Sequence, residues 1–514
     1  MANFYRLSPS RQREITFRRL VAYLRDYVEP FHPHLRKRFR EAGIDVRHLS
    51  TYDDFRRLPI VTKDDYRADP RAFILQPKVR GREDRVPYDT ARLGIKYVVR
   101  PLIEAALNRP REYAHLFRRM PFVMGKLGRR IAEEWLPFHF HATAGTSGEP
   151  TPAVYTFYEA RKILSELSYA ALLQPDRPDP ELPHVEWTTR NLSVMPGVPH
   201  LGFFQIVMSK FLAGFSCFDT CGGKVVPTAR QIEILSKGKF EGITAVPSYL
   251  SYWLRTARAM VEKGEIPPLS SLAFALVGAE PVSPAMKEAL QEIARSAGAH
   301  PKFRIYEAYG MTEMKWAFTE CSQNGGIHLN PRYWFWELLD PRTWEPVPEG
   351  EPGVLVFSHV GWRGTVFVRH NTGDWIAGGM AWKRCEHCDH TWVTVKGPIS
   401  RYERDFTKIK GTRVALVDLK EAVRATPGVA SFQIELSSED PREEISRDRV
   451  IVTVVPAPGA DREGLRGELS GRVQKETEVT PDEIRFEENA EAFESSLFAR
   501  TGIKADLIVD RRKR

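Results

Sequence analysis

Between residue 141 and about residue 400, short apolar runs alternate with stretches of helical spacing, and this alternation constrains the fold more than any other feature of the chain. The apolar runs predicted as strands are residues 192–195, 224–227, 242–246, 272–277 and 354–357. Helical spacing between them covers residues 230–236 and 249–263. Strands and helices in alternation are typical of a layered α/β domain.

The segments before this region are predicted to be helical. Residues 11–28 place their apolar side chains on one face and end before Pro30, and a second helix is expected from about residue 36. Thr62 is suited to cap a third helix, because carboxylates follow it in the first turn. Residues 80–135 form a basic stretch of helical pattern, interpreted as an insertion with a solvated face; a membrane-surface or partner-binding role is the alternative.

The end of the chain has a pattern of its own. After Gly397-Pro398, two helical stretches and one buried strand predict a small α+β domain. The expected division is an N-terminal domain of residues 1–400 and a mobile C-terminal domain of residues 401–514. A homodimer is an open alternative for the assembly, and no sequence feature specifies the oligomeric state.

Composition excludes several classes of protein. The chain has 514 residues, 42% of them hydrophobic and 27% charged, as in an ordinary globular protein. It has no apolar run of about 18 residues and no signal-peptide pattern, so a cytoplasmic location and no transmembrane segment are expected. A net charge of +9 suits a protein that handles small polyanions, and it is too diffuse to indicate nucleic acid.

Residues 141–151, with the sequence HATAGTSGEPT, are a candidate anion-binding loop. Hydroxyls and glycines alternate closely, and glycine permits the backbone N–H groups to converge on one anion. The residues that would contact it are Thr143, Gly145, Thr146, Ser147 and Gly148. The loop lacks the Gly-Lys-Ser/Thr ending of a Walker loop, and a simple Ser/Thr/Gly turn is the alternative.

Further motifs follow at intervals along the chain. Residues 276–281 are a strand that enters a Gly-Ala-Glu-Pro turn, a usual place for ligands in α/β sheets. Residues 309–313 combine a ring for stacking, a hydroxyl for phosphate and a carboxylate for Mg²⁺. Asp374 ends another strand, Arg401 follows near the domain junction, and Lys504 lies near the end of the chain.

Taken in this order and at this separation, the motifs resemble the adenylate-forming superfamily, and most closely the phenylacetate–CoA ligase family. The resemblance covers most of the chain, from the N-terminal helices to Lys504. Its most specific matches are residues 141–151, 278–281, 309–313 and Asp374. It implies a large layered α/β domain followed by a small α+β lid.

The resemblance also implies roles for individual residues. The loop at 143–148 would hold the phosphates of ATP. The adenine would lie against two turns, formed by Gly278, Ala279, Glu280, Pro281, Tyr309 and Gly310. Thr312 would contact the α-phosphate, Glu313 would ligate Mg²⁺, and Asp374 would bind the ribose. Arg401 would assist at the nucleotide, and Lys504 would be the catalytic lysine of the lid.

The chain departs from the family pattern at several positions. Glu149 stands where the family usually has lysine, Ala144 where it often has serine, and Ser400 where it usually has glycine before Arg401. Lys504 follows isoleucine rather than glycine. These changes are compatible with a nucleotide site, and they bear on the rate and on the second half-reaction.

Four residues are spaced like zinc ligands: Cys321, His328, Cys385 and Cys388. A Cys₃His set of this kind is typical of closed, tetrahedral structural Zn²⁺ sites, and a Cys-x-x-Cys pair in a chain without a secretion signal favours metal over a disulfide. Unrelated buried cysteines are the alternative, and His387 or His390 would be substitutes for His328. Cys217 and Cys221 are expected to be core thiols.

The reaction implied by the resemblance is ATP-dependent activation of a carboxylic acid to an acyl-adenylate, with release of pyrophosphate, followed by transfer to CoA. Residues 200–208 and 245–250 are candidate walls for an apolar or aromatic acid, with plain core as the alternative. Two other functions stay open: adenylation with an amine, carrier protein or other cofactor as the acceptor, and nucleotide binding without catalysis.

Overall fold

A computed structural model gives the architecture. It describes residues 2–5, 7–76, 135, 137–142, 151–164, 166–167, 189–195, 197, 201, 216–402, 406–410, 412–439, 448–498 and 505–512. The phosphate-loop residues 143–150, Lys504, nearly all of the predicted insertion at 80–135 and most of the wall segment 200–208 lie outside these described residues.

A six-stranded sheet lies at the centre of the large part of the chain. Its spatial order is Ser216–Asp219, Arg190–Ser193, Gly242–Ala245, Phe274–Gly278, Arg304–Met311 and Trp316–Thr319. The neighbouring pairs are parallel except the last, which is antiparallel. Helices Thr228–Gly238, Pro247–Glu262 and Pro284–Ser296 connect successive strands and bury their apolar faces against the sheet. The predicted α/β alternation is confirmed.

The prediction of a strand at residues 224–227 is wrong. Cys221 and Gly222 have φ values of 57° and 85°, so the chain turns here, and Val225 is 67% exposed. The strand lies earlier, at Ser216–Asp219. The same geometry corrects the prediction of core thiols, because Cys217 on this outer strand and Cys221 in the turn are both only half-buried.

A second, antiparallel sheet is buried almost throughout. It consists of Trp334–Leu339, Gly353–His359, His370–Ile376 and Ile399–Arg401, in that order. A small sheet of Met380–Ala381, Val393–Val395 and Ile327–Leu329 and a hairpin of Pro137–Ala142 with Pro152–Thr156 complete this region. The hairpin flanks the predicted phosphate loop on both sides.

The N-terminal helices pack on the second sheet and share its core. The α-helices are Ala2–Tyr5, Pro9–Tyr23, Glu29–Phe31, Pro33–Glu41, Tyr52–Phe55 and Lys63–Ala68. π-helices cover Leu24–Val28 and Glu159–Leu164, and 3₁₀ turns cover Val46–His48 and Pro70–Phe73. The predicted cap is confirmed: Thr62 and Asp65 form a reciprocal capping box at the start of Lys63–Ala68.

The residues after 401 form a four-stranded sheet with helices against it. The spatial order is Glu483–Phe486, Asp448–Pro456, Val429–Ser438 and Ile508–Asp510. Helices Leu416–Arg424 and Arg462–Thr477 supply its separate core, and a hairpin of Phe406–Ile409 with Thr412–Ala415 precedes them. Helix Ala490–Leu497 packs elsewhere: Leu497 and Phe498 join the core of the six-stranded sheet, and Glu494 pairs with Arg255 of helix Pro247–Glu262.

Candidate active site and metal cluster

Two adjacent strands of the central sheet bring the predicted adenine-binding turns together. Gly278 is paired with Ala308, the residue before Tyr309. A Cβ on Gly278 would lie 2.6 Å from the carbonyl oxygen of Ala308, so only glycine allows this approach. The chain then turns through Ala279, whose φ is 71°. The two motifs that are 30 residues apart in sequence therefore form one edge of the site.

Glu280 is fixed by the first turn of helix Pro247–Glu262. Its carboxylate accepts hydrogen bonds from the backbone N–H of Ser248 at 3.1 Å and from the Ser248 hydroxyl at 3.0 Å. The Oγ of Ser248 also accepts a hydrogen bond of 3.3 Å from the backbone N–H of Ala505. The residue that follows Lys504 is thus held beside the Gly278–Glu280 turn.

Tyr309 and Asp374, which are buried, form a cluster with the partly exposed Arg401 across both sheets. The Tyr309 hydroxyl donates to Asp374 Oδ2 over 2.6 Å, and Arg401 Nη1 lies 2.9 Å from Asp374 Oδ1. Burial raises the pKa of Asp374 above its ordinary value, and the Arg401 guanidinium limits that rise. Arg401 remains 40% exposed, so the cluster presents a guanidinium at the surface and a carboxylate beneath it.

Thr312 and Glu313 lie in a tight turn after the strand Arg304–Met311. The Nε2 atom of His141, at the entrance to the predicted phosphate loop, lies 3.3 Å from the carbonyl oxygen of Thr312. Burial lowers the pKa of His141 to about 3, so its ring is neutral at pH 7. The loop entrance and the Thr312 turn are therefore neighbours.

Glu313 is buried and is paired with a lysine from a distant part of the chain. Its side chain is 1% exposed, and Lys63 Nζ lies 3.0 Å from its Oε1. Burial raises the pKa of Glu313, but the Lys63 ammonium, the nearby His370 and the hydrogen bonds to the carboxylate together hold it below its ordinary value. No sequence motif marks Lys63 as a site residue, although the capping signal at Thr62 places it at the start of a helix.

A second buried ion pair fastens the Thr312 turn to the hairpin. Lys315 has a φ of 64°, and its Nζ donates to Glu159 Oε1 over 2.7 Å with both side chains wholly buried. The same carboxylate accepts from the backbone N–H groups of Thr156, Arg363 and Gly364. Burial lowers the pKa of Lys315 to about 8, against the attraction of Glu159. No local sequence pattern predicts this pair.

The predicted zinc ligands converge. Ligand atoms of Cys321, His328, Cys385 and Cys388 all lie within 4.8 Å of one another. The Sγ atoms of Cys321 and Cys385 are 3.7 Å apart, which fits two thiolates at tetrahedral angles with Zn–S bonds of about 2.3 Å. Thr394 Oγ1 lies 3.3 Å from His328 Nδ1 and leaves Nε2 to face the thiols. His387 and His390 are not part of this group.

Comparison with known proteins agrees with this geometry. Residues 133–362 match the family model of the AMP-binding enzymes. The phenylacetate-coenzyme A ligase of Thermus thermophilus is 25% identical over 433 residues, which cover 83% of this chain and 78% of that enzyme. The phenylacetate-coenzyme A ligase of Aromatoleum evansii is 26% identical over 241 residues, 46% of this chain and 49% of that enzyme.

Among solved structures, 2-hydroxyisobutyryl-CoA ligase in its postadenylation state, in complex with 2-HIB-AMP, has a TM-score of 0.69 at 19% identity. The superposition covers 99% of this chain and 92% of that chain, which establishes the fold. The chain therefore has the fold of an adenylate-forming ligase, and its residues 133–362 match the AMP-binding enzymes. In sequence it is similar to phenylacetate–CoA ligases, in agreement with the resemblance of the motifs. No helix in the described part of the chain is long and apolar enough to cross a membrane.

Proposed function

We propose that the protein activates a carboxylic acid with ATP, releases pyrophosphate and transfers the acyl group from the adenylate to CoA. The observation that carries the proposal is the convergence at one edge of the central sheet. There the Gly278–Glu280 turn, the Tyr309–Asp374–Arg401 cluster and the Thr312–Glu313 turn follow adjacent strands, and Ser248 joins Glu280 to the segment that begins at Ala505.

The chemistry explains why these groups belong together. A carboxylate is a poor acyl donor because its leaving group would be an oxide, and conversion to an acyl-adenylate supplies a good leaving group. The protein's part is positioning and charge stabilisation. Asp374 would hold the ribose hydroxyls, Thr312 and the loop at 143–148 the phosphates, and Lys504 the charge that develops on the reacting oxygens.

Glu313 is the residue proposed to hold Mg²⁺. It is a hard oxygen ligand, and its partner among the described residues is the flexible ammonium of Lys63, 3.0 Å from Oε1, which a divalent cation would replace. When bound, Mg²⁺ would neutralise phosphate charge. Residues 401–514 would act as a mobile lid that carries Lys504 to the nucleotide and then gives the thiol access.

For the acid, we propose an apolar or aromatic compound, in keeping with the names of the relatives from Thermus and Aromatoleum. In the candidate wall at 245–250, the side chains of Ala245, Val246 and Leu250 are completely buried in the core of the central sheet, which favours the plain-core alternative for these three residues. We further propose that the Cys321–His328–Cys385–Cys388 cluster holds structural Zn²⁺, which would join two segments of the large domain.

Pyrophosphate release, measured over a panel of aliphatic and aromatic acids with and without CoA, tests the proposed function. We expect ATP–pyrophosphate exchange with an aromatic or apolar acid, and an acyl-CoA product only when CoA is present. Exchange that proceeds without any thioester product would indicate a different acceptor. Binding of ATP without exchange for any acid would indicate a nucleotide-binding protein without catalysis.

A further inference from the structure

Lys63 lies far from the nucleotide motifs in sequence but beside them in space. Its Nζ is 3.0 Å from Glu313 Oε1, and among the described residues it is the cation paired with that buried carboxylate. We propose, on the basis of the function above, that Lys63 is a nucleotide-binding residue whose ammonium contacts the polyphosphate of ATP.

The backbone of Lys63 is held in a fixed position. The N–H of Val61 donates to the carbonyl of Arg369 over 2.9 Å, and the N–H of Asn371 donates to the carbonyl of Val61 over 2.8 Å. These bonds attach the segment to the strand that ends near Asp374, and the capping box of Thr62 fixes the following turn. The start of the Lys63 side chain is thus anchored to the same strand as the predicted ribose ligand.

The ammonium of Lys63 is less constrained than its backbone. The side chain of Lys63 is 25% exposed, whereas that of Glu313 is 1% exposed. An unpaired buried carboxylate is costly, so the ammonium remains on Glu313 until another cation replaces it. A divalent ion on Glu313 would release the flexible four-carbon stem toward the open side, where the phosphates are proposed to lie.

The charges around the site leave a place for such a cation. The loop at 141–151 contains no lysine or arginine and one carboxylate, Glu149, although its proposed ligand is strongly anionic. The ammonium of Lys315 is wholly buried on Glu159, and the guanidinium of Arg401 is paired with Asp374. Lysine is a common phosphate ligand, as a compact point charge. The partly exposed ammonium of Lys63 fits this role.

Binding of ATP and of AMP, each measured by calorimetry in the presence of Mg²⁺, tests this proposal. For Lys63→Met we expect roughly a 10-fold loss of ATP affinity, the effect of one charge-assisted contact, with AMP affinity within about 2-fold of wild type. Lys63→Arg should retain most of the ATP affinity. Lys37→Met is the matched control, since Lys37 is an exposed lysine of the N-terminal helices that pairs with Glu41.

The same substitution in a Glu313→Gln background separates a direct contact of Lys63 with ATP from an effect of Lys63 on Glu313. Glutamine is uncharged, so removal of Lys63 leaves no unpaired buried charge in that background. There, Lys63→Met should again weaken ATP binding about 10-fold. An unchanged ATP affinity in that background, or an equal loss of ATP and AMP affinity in either background, would overturn the role of Lys63. A wild-type protein that binds neither nucleotide would instead refute the proposed function.

Discussion

The backbone N–H of Ala505 donates to the hydroxyl oxygen of Ser248 over 3.3 Å, while that hydroxyl donates to Glu280 over 3.0 Å. Two bonds thus connect the segment that follows Lys504 to the turn expected to hold adenine. Helix Ala490–Leu497 supports this contact, because Phe498 packs with its ring centroid 5.7 Å from that of Tyr249. This arrangement holds Ala505, the residue after Lys504, beside the Gly278–Glu280 turn.

Lys504→Ala is expected to slow adenylation by about 10²–10³-fold, because it removes one group that stabilises charge in the transition state. ATP–pyrophosphate exchange measures this step. The control is the second half-reaction, with preformed acyl-adenylate and CoA supplied to the same variant. An equal fall in thioester formation would contradict a role confined to adenylation.

Tyr309→Phe is expected to weaken ATP binding by about 5–10-fold, because Asp374 loses the hydroxyl that orients its Oδ2. Calorimetry with ATP measures the effect. Tyr333→Phe is the matched control, since the Tyr333 hydroxyl donates to Glu166 over 2.5 Å in an equally buried tyrosine–carboxylate pair. A similar loss of ATP affinity in both variants would indicate a general effect on stability.

Sequence patterns that span only a few residues were sufficient to predict much of the fold. Helix caps, apolar alternation and turn residues act within a few positions of one another, so Thr62 and the strand at 242–246 could be read directly. The strand predicted at 224–227 failed because its apolar valines follow a turn with positive φ at Cys221 and Gly222. Hydrophobicity alone does not distinguish an exposed turn from a strand.

The candidate site was predictable in its motifs but not in its ion pairs. Tyr309, Asp374 and Arg401 lie in recognisable segments, and the structure brings them together. Lys63 with Glu313 and Glu159 with Lys315 are pairs between segments far apart in sequence, and neither partner stands in a pattern that specifies the other. Such pairs become visible only when the fold is known.

Zinc content gives a direct test of the cysteine–histidine cluster. We expect one zinc ion per chain in the purified protein by plasma mass spectrometry. Cys388→Ser should lose the metal and lower the Tm by about 5 °C, because the ion links the segments around residues 321–328 and 385–388. Cys217→Ser, at a half-buried thiol outside the cluster, should retain the zinc ion and the wild-type Tm. A metal-free wild-type protein with the same Tm as Cys388→Ser would contradict the site.

Glu307→Gln is expected to make stability less sensitive to pH. Burial raises the pKa of Glu307 from 4.5 to about 7, and the nearby Glu320 adds to the rise that Lys287 opposes. Between these values the folded chain holds a proton that the unfolded chain has lost, so the free energy of unfolding falls as pH rises, by up to about 3 kcal/mol. Glutamine cannot ionise, so the Tm of the variant should fall less than that of the wild type between pH 5 and pH 8.

The control for Glu307→Gln is Glu262→Gln, at a side chain that is 66% exposed, which should show the pH dependence of the wild type. Identical pH profiles for Glu307→Gln and wild type would show that the Glu307 carboxyl titrates near its ordinary value in the folded chain.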